Sequence, residues 1–256
     1  MLNNSFNEKI TQTIKTIQGI FEELEIDAFL IGAQARDIWF LPKRNPRITK
    51  DIDWVIAHSN ENLFKQLKTL LIEREGYTET TNPLRLKNPE GIDVDLIPFD
   101  YPDTPHFIGL HEIFERGTEE IVLSNATYRL ATLPAIVFLK FIAWDNRPEN
   151  RLKDIEDIVY IIKNYDIYSM DVLDNHHELY TELEPEYIGA RVIGRKISYI
   201  LGNSITFKHQ IIGIIERQIT LSSKSKIVQA LQNQETEITE FGDLILKELL
   251  NGILES

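Results

Sequence analysis

Two pairs of aspartates carry the clearest chemistry in this sequence. Asp51 and Asp53 stand two residues apart at the head of the apolar run DIDWVIA, and Asp93 and Asp95 do the same in IDVDLIPF. In a β-strand, residues i and i+2 point to one face of the sheet, so each pair presents two carboxylates side by side. Such like charges repel unless a cation lies between them. Carboxylate oxygens suit Mg²⁺, which one or two carboxylates commonly hold together with substrate phosphates.

The context of the first pair adds a phosphate site to this prediction. A D-x-D pair alone is weak evidence, because 15 aspartates in 256 residues give about one such pair by chance. However, the segment IGAQAR follows an apolar stretch, and its Gly32 precedes Asp51 by 19 residues. A turn that leads into a helix N-terminus offers backbone N–H groups to a phosphate. The order of strand, glycine turn, helix and D-x-D strand therefore predicts a phosphate cradle beside a metal site.

The elements that position these residues follow from hydrophobic periodicity. The spacing predicts strands over 28–32 and 51–57, a hairpin that joins LRLK to 92–99, and strands near 120–123 and 127–130. It predicts helices over 6–24, 33–41, 60–75 and 110–116, and residues 42–50 as a loop. From residue 132 onward the pattern is helical, with helices over 133–145, 149–164, 186–202, 205–220, 224–234 and 238–251. These elements predict the α+β class: a mixed α/β domain (1–131) of a sheet flanked by helices, followed by an all-α domain (132–256).

Composition excludes several classes of function. The chain has no cysteine, so thiolate metal sites and cysteine nucleophiles are excluded. It contains no H-E-x-x-H, G-x-S-x-G or Walker A sequence, so zinc-protease, serine-hydrolase and P-loop chemistry lack support. The net charge of −13 argues against a broad nucleic-acid-binding face, although residues 41–50, LPKRNPRITK, hold four basic residues and no acid. A polar N-terminus and the lack of an 18-residue apolar run predict a cytoplasmic protein with no membrane partner.

The motifs resemble those of a known superfamily. IGAQAR, RITKDIDWVI and IDVDLIPF are similar to the turn, the D-h-D strand and the later aspartate of nucleotidyltransferases with the polymerase-beta-like fold. The closest likeness is to the AbiEii/AbiGii toxin-type nucleotidyltransferases, which also carry a downstream lysine and a basic-Asp-x-x-Asp helix. That downstream part resembles FLKFIAWDNRPENRLKDIEDIVYII, residues 138–162. The resemblance spans about residues 26–164.

The resemblance implies roles for residues of the first domain. Gly32 and Ala33 match the turn that holds the triphosphate, and Asp51 and Asp53 match the metal-binding pair. Asp95 best matches the third carboxylate, a metal ligand that orients or activates the attacking hydroxyl. Asp93 remains an alternative for that role, because it stands two residues away from Asp95. Ala33 departs from the usual Gly or Ser, so only backbone contacts to phosphate remain at that position.

The resemblance implies further nucleotide contacts at basic and downstream residues. Lys140 matches the downstream lysine, a catalytic or phosphate-binding residue, although a lysine on an apolar helix also reaches solvent by extending its chain. Asp154 and Asp157, which follow Lys153, match the helix motif, and salt bridges are the alternative. Arg36 lies one helical turn after Gly32, where it either faces the triphosphate or lies exposed on the helix. Arg36, Arg47 and Lys140 are the candidates that steady the leaving charge.

The function that the resemblance implies is a metal-dependent nucleotidyl transfer. The enzyme would use Mg²⁺ or Mn²⁺ and a nucleoside triphosphate, and it would move a nucleoside monophosphate to a hydroxyl of a tRNA or a protein. The likeness to AbiEii further implies a toxin or phage-defence protein with a cognate antitoxin. A small-molecule nucleotidyltransferase of the antibiotic-modifying kind is the alternative, which the charge of −13 keeps open. A catalytically weak nucleotide-binding module is another, and Ala33 keeps that interpretation open.

Overall fold

The computed structural model describes residues 2–41, 51–57, 61–99, 109–123, 126–232 and 240–255, with the side chains of 2–7 and 123 left aside. The chain forms two compact units, Met1–Thr132 and Leu133–Ser256. The predicted loop over 42–50 lies outside the described residues. In the part of the chain that is described, no helix is both long and apolar enough to cross a bilayer.

The first unit is a mixed sheet flanked by helices. Its elements are α1 (Leu2–Glu23), β1 (Ala28–Ile31), α2 (Gly32–Trp39), β2 (Asp51–Ile56), α3 (Glu61–Glu73), β3 (Thr78–Glu79), β4 (Arg85–Lys87), β5 (Asp93–Pro98), α4 (Leu110–Arg116), β6 (Thr118–Leu123) and β7 (Ala126–Ala131). The strands form one sheet in the order β3-β4-β5-β2-β1-β7-β6. Strand β2 lies centrally, antiparallel to β1 and parallel to β5.

The core of the first unit forms around strands β1 and β2. Trp54 is fully buried on β2 and packs edge-on against Phe21 of α1, with ring centroids 5.0 Å apart. Apolar residues of α1 recur at three- and four-residue spacing, which turns one face of that helix to the core. Asp51 and Asp53 precede this buried part of β2. The core therefore fixes the strand, while the first residues of the strand lie at the edge of that core.

The second unit is all helical. Its elements are α5 (Leu133–Asn146), α6 (Leu152–Lys163), α7 (Met170–Asn175), α8 (Leu179–Glu182), α9 (Pro185–Leu201), α10 (Ile205–Leu221), a 3₁₀ turn (Ser222–Lys224), α11 (Lys226–Leu231) and α12 (Phe241–Leu254). Helix α5 is apolar on nearly all sides and lies in the core. Helices α9 and α12 pack closely at Gly194 and Gly252, where a Cβ would overlap with the backbone of the other helix.

The structure confirms the predicted α+β class, with a mixed sheet, flanking helices and helices in the C-terminal half. The sequence pattern missed the short helices α7 and α8. The helix predicted over 224–234 begins only at Lys226, because Ser225 accepts a hydrogen bond from Val228 N and caps α11. The preceding residues instead form the 3₁₀ turn.

Candidate functional site in the first unit

The two aspartate pairs lie side by side in the sheet. In the parallel pairing of β2 with β5, Asp51 is opposite Asp93 and Asp53 is opposite Asp95. Residues opposite each other in a sheet point to the same face, so the four carboxylates share one small area. Asp51 is exposed and the other three are partly buried. The intervening Ile52 and Val94 are fully buried on the other face.

The glycine turn lies directly against this cluster. Ile31 is opposite Asp53 in the antiparallel pairing of β1 with β2, and Gly32 follows it as the first residue of α2. Gly32 has φ +71°, a conformation that side-chain-bearing residues rarely adopt. A Cβ at this position would overlap with Oδ2 of Asp53. The turn and the carboxylate therefore approach each other as closely as their atoms allow, and only glycine fits between them.

Helix α2 begins in this turn, with Gly32 as its first residue. The first N–H groups of a helix have no intrahelical partner and carry a partial positive charge, which favours an anion. Ala33 has no hydroxyl, so at that position only the backbone is available to a phosphate. Arg36 is only 1% exposed, and its Nε donates to Asp37 Oδ1 over 2.7 Å. Arg36 is therefore not exposed on the helix, which was one of the two positions expected for it. Its contact with a nucleotide stays a prediction.

Strand β4 brings two cations to the carboxylates, and the sequence analysis missed both. Arg85 is opposite Asp95, and Lys87 is opposite Asp93, in the antiparallel pairing of β4 with β5. Arg85 donates from Nε to Asp95 Oδ1 and from Nη2 to Asp95 Oδ2, each over 2.6 Å. Its Nη1 lies 3.5 Å from Asp93 Oδ2, and Lys87 also binds Asp93. The alternation of LRLK against DVDL, which places Arg85 and Lys87 on one face, was the signal that could have found them.

The charges of this face act on Arg85 together. Its hydrogen bonds to Asp95 raise the pKa of the guanidinium above its ordinary value, and the charges of Asp95, Asp93 and Asp53 add to that effect against the opposing effect of burial. Arg85 therefore stays fully charged. It supplies one unit of positive charge, held by Asp95, beside a cluster of four carboxylates.

The donor set fits a divalent cation held in part by substrate. Asp51 and Asp53 offer hard carboxylate oxygens on one face, next to the turn that favours phosphate, and Mg²⁺ commonly uses one or two carboxylates plus phosphate oxygens. Among the residues that the structure describes, no group of three or more His, Asp or Glu side chains is arranged to hold a metal ion. Asp95, the expected third ligand, is instead engaged by Arg85.

The predicted downstream residues form an ion cluster within the second unit. Lys140 of α5 donates to Asp154 Oδ1 of α6 over 2.8 Å, and its Nζ lies 2.7 Å from Asp157 Oδ2. Arg151 Nη1 lies 3.2 Å from the other oxygen of Asp154. Burial alone would lower the pKa of Lys140, but the charges of Asp157 and Asp154 outweigh it and raise that pKa above its ordinary value. Lys140 therefore binds both Asp154 and Asp157, and the three residues form one ion cluster.

Arg47, a candidate for steadying the leaving charge, lies outside the described residues together with the rest of 42–50.

Comparisons with known proteins agree with this picture at the level of fold. The chain matches no protein-family model, and no curated protein matches it by sequence. It is similar in structure to an antigenic nucleotidyltransferase-like protein from Paracoccidioides brasiliensis, with a TM-score of 0.51 and 16% identity over 86% of this chain and 94% of that chain. This likeness shows that the chain has a nucleotidyltransferase-like α+β fold. Membership of the superfamily expected from the motifs stays a prediction. The narrower likeness to AbiEii/AbiGii proteins stays a prediction.

Two structures of the antibiotic-resistance factor ANT(2'')-Ia show a weaker likeness. The solution structure has a TM-score of 0.45 and 16% identity over 68% of this chain and 95% of that chain. The crystal structure of ANT(2'')-Ia in complex with adenylyl-2''-tobramycin has a TM-score of 0.43 and 16% identity, over 68% of this chain and 99% of that chain.

Proposed function

We propose that this protein is a metal-dependent nucleotidyltransferase that moves a nucleoside monophosphate from a nucleoside triphosphate to a hydroxyl group. The observation that carries the proposal is the contact between the two motifs. The glycine turn at Gly32 lies against Asp53, and Asp51, Asp93 and Asp95 surround Asp53 on the same face of the sheet. A nucleotidyl transfer needs a phosphate site and a cation site next to each other.

Each part of the site has a role in this reaction. Asp51 and Asp53 would hold Mg²⁺ or Mn²⁺, with Asp95 as the third carboxylate. The bound ion would neutralise charge on the nucleotide phosphates. The N-terminus of α2 binds the triphosphate through backbone N–H groups. The acceptor hydroxyl attacks the α-phosphorus, an O–P bond forms, the bond to the β-phosphate oxygen breaks, and pyrophosphate leaves. Asp95 orients the acceptor hydroxyl, whose proton passes to solvent or to a carboxylate.

Two acceptor classes follow from two different observations. The likeness of the motifs to AbiEii/AbiGii proteins supports a hydroxyl of a tRNA or a protein, in a toxin or phage-defence protein with a cognate antitoxin. The charge of the site supports a cationic small molecule, as in an antibiotic-modifying enzyme. Asp51 is exposed, and Arg85 and Lys87 are each paired with a carboxylate. An acidic face of this kind attracts a cationic acceptor and repels a polyanion.

The test is a transfer assay with each of the four α-³²P-labelled nucleoside triphosphates and MgCl₂. Total tRNA, an aminoglycoside or the protein alone serves as acceptor. We expect one acceptor class to become labelled, and we expect Asp53→Asn to lower the rate at least about a hundred-fold because half of the cation site is removed. Asp27→Asn is the matched control, since Asp27 is exposed at the opposite end of β1 from Gly32.

The outcomes separate the proposals. Label on tRNA or protein supports the toxin-type acceptor, and label on the aminoglycoside supports the antibiotic-type acceptor. Nucleotide binding that needs Mg²⁺ and Asp53, without transfer to any of these acceptors, would favour a nucleotide-binding module. Transfer that survives Asp53→Asn unchanged would overturn the assignment of the site.

A further inference from the structure

We infer that Arg85 is a positioning residue that withholds Asp95 from the divalent cation until the nucleotide is bound. This inference rests on the proposed function, because it concerns the same cation site. It departs from the simplest version of that proposal, in which Asp51, Asp53 and Asp95 all hold the metal from the outset.

The first argument is the geometry of the ion pair. The guanidinium of Arg85 uses two parallel N–H groups against both oxygens of Asp95, at 2.6 Å each. This two-pronged pairing is the strongest form of a hydrogen-bonded ion pair and also fixes the carboxylate plane. A cation that approaches Asp95 from the side of the guanidinium must therefore weaken or replace these bonds.

The second argument is charge. The Arg85 guanidinium is hydrogen-bonded to both oxygens of Asp95, and its Nη1 lies 3.5 Å from Asp93 Oδ2, so its positive charge lies among the carboxylates of β5. A fixed positive charge at that place repels an incoming divalent ion. In the strand register, β4 lies beside β5 and not beside β2, so Arg85 and Lys87 are opposite Asp95 and Asp93 and not opposite Asp51 or Asp53.

The third argument is that Arg85 is partly exposed on a short strand. Its side chain is 33% exposed, whereas that of Asp95 is 16% exposed. Strand β4 is only three residues long and pairs with the two-residue strand β3 on its other side. A triphosphate at Gly32 brings new negative charge beside Asp53, whose own charge already acts on the guanidinium, so an Arg85 released from Asp95 has an anion to bind on this face.

The experiment measures binding of Mn²⁺ to the protein without nucleotide, from the electron paramagnetic resonance signal of the unbound ion. We expect Arg85→Gln to bind Mn²⁺ about ten-fold more tightly than the wild type, because Asp95 is released as a ligand and a positive charge beside it is removed. Lys87→Gln is the matched control. Lys87 lies on the same strand and face but binds Asp93, so its replacement should change the affinity much less.

A double-variant comparison tests whether the effect passes through Asp95. In an Asp95→Asn background, Arg85→Gln should no longer tighten Mn²⁺ binding, because the withheld ligand is absent. Arg85→Lys keeps the charge but loses the two-pronged pairing, and it should give an affinity between those of the wild type and Arg85→Gln. Circular dichroism and a thermal melt establish that each variant is folded. If Arg85→Gln does not fold, the Mn²⁺ affinity of Arg85→Lys tests the inference instead.

The failure of this inference is distinguishable from the failure of the proposed function. If the wild type binds Mn²⁺, Asp53→Asn does not, and Arg85→Gln binds with wild-type affinity, then the cation site stands and the role of Arg85 is overturned. If neither the wild type nor Arg85→Gln binds Mn²⁺, the role of Arg85 is overturned, whereas the cation site, which substrate phosphates complete, is decided by the transfer assay with Asp53→Asn. Tighter binding in Arg85→Gln and an unchanged affinity in Lys87→Gln support the inference.

Discussion

The site depends on the close approach of two residues, Gly32 and Asp53. Gly32 has no side chain, and this absence lets Oδ2 of Asp53 lie against its Cα at the point where β1 turns into α2. The same residue therefore meets two needs, a backbone with positive φ and space for a carboxylate. The glycine in IGAQAR was singled out for its backbone amide, and the structure adds that the carboxylate of the D-x-D strand requires it too.

We predict that Gly32→Ala abolishes Mn²⁺ binding without unfolding the protein. The added Cβ meets the end of a side chain, so Asp53 turns away rather than the backbone giving way. The remaining cost is that of alanine at positive φ, about 1–2 kcal/mol in the free energy of unfolding. Urea denaturation and Mn²⁺ titration measure the two effects separately.

The control for this prediction is Gly91→Ala. Gly91 has φ +80° in the turn before β5, but a Cβ there meets no atom within 4 Å. Its unfolding cost should match that of Gly32→Ala to within about 1 kcal/mol, since both pay the same backbone strain. Its Mn²⁺ affinity should stay at the wild-type value. A Gly32→Ala protein that binds Mn²⁺ normally would show that Asp53 does not need its present position.

Among the helices and strands, hydrophobic periodicity predicted most of the elements, but it did not predict which strands lie next to each other in the sheet. Periodicity placed α4 at its observed bounds, and the hairpin that joins β4 to β5 formed as expected. The order of the sheet was not predictable, because β2 pairs with β5 through backbone bonds that any sequence can make. The role of Arg85 depends on that order. The short helices α7 and α8 were missed because they are too short to show periodicity.

The ion cluster of the second unit joins α5 and α6, which the sequence pattern predicts as two separate helices. Lys140 lies on α5 and its partners Asp154 and Asp157 lie on α6, and both aspartates are buried. Removal of one member of a buried ion pair leaves the other charge uncompensated, which costs much more than the pair contributes when complete. The contacts of Lys140 therefore make it a structural residue of this unit, and any part in nucleotide binding is additional.

We predict that Lys140→Met lowers the free energy of unfolding by about 3–5 kcal/mol, because methionine keeps the packing of the lysine chain but leaves Asp154 and Asp157 without their shared cation. Urea denaturation at neutral pH measures the loss. Lys153→Met is the control, since Lys153 is exposed on the same helix as the two aspartates, and it should change stability by less than about 0.5 kcal/mol. Equal effects of the two substitutions would mean that the cluster does not stabilise the unit.

At the scale of the whole molecule, charge limits the acceptor. The chain carries 27 basic and 40 acidic residues, a net charge of −13, so a polyanion is repelled from most of its surface. The described cations nearest to the carboxylates, Arg85 and Lys87, are already paired with aspartates. The densest basic stretch of the sequence precedes Asp51, at Lys43, Arg44, Arg47 and Lys50. If the acceptor is an RNA, we therefore expect it to contact that stretch.

We predict that binding of tRNA has a shallow salt dependence. Each phosphate contact contributes about −0.9 to the slope of log K against log salt concentration, so four cations give a slope no steeper than about −3.6. Fluorescence anisotropy of labelled tRNA over a range of salt concentrations measures the slope. Replacement of Lys43, Arg44, Arg47 and Lys50 by glutamine should bring it near zero.

The control is a second fourfold variant with the same net charge, in which glutamine replaces the exposed lysines Lys65, Lys153, Lys224 and Lys247. This variant should weaken binding slightly through the overall repulsion but keep the wild-type slope, because the slope counts contacts and not net charge. A wild-type slope much steeper than four contacts allow would mean that another face of the molecule binds RNA. A slope that both variants reduce equally would mean that the contacts are spread over the surface, and the basic stretch before Asp51 would lose its role as the place where an RNA acceptor is held.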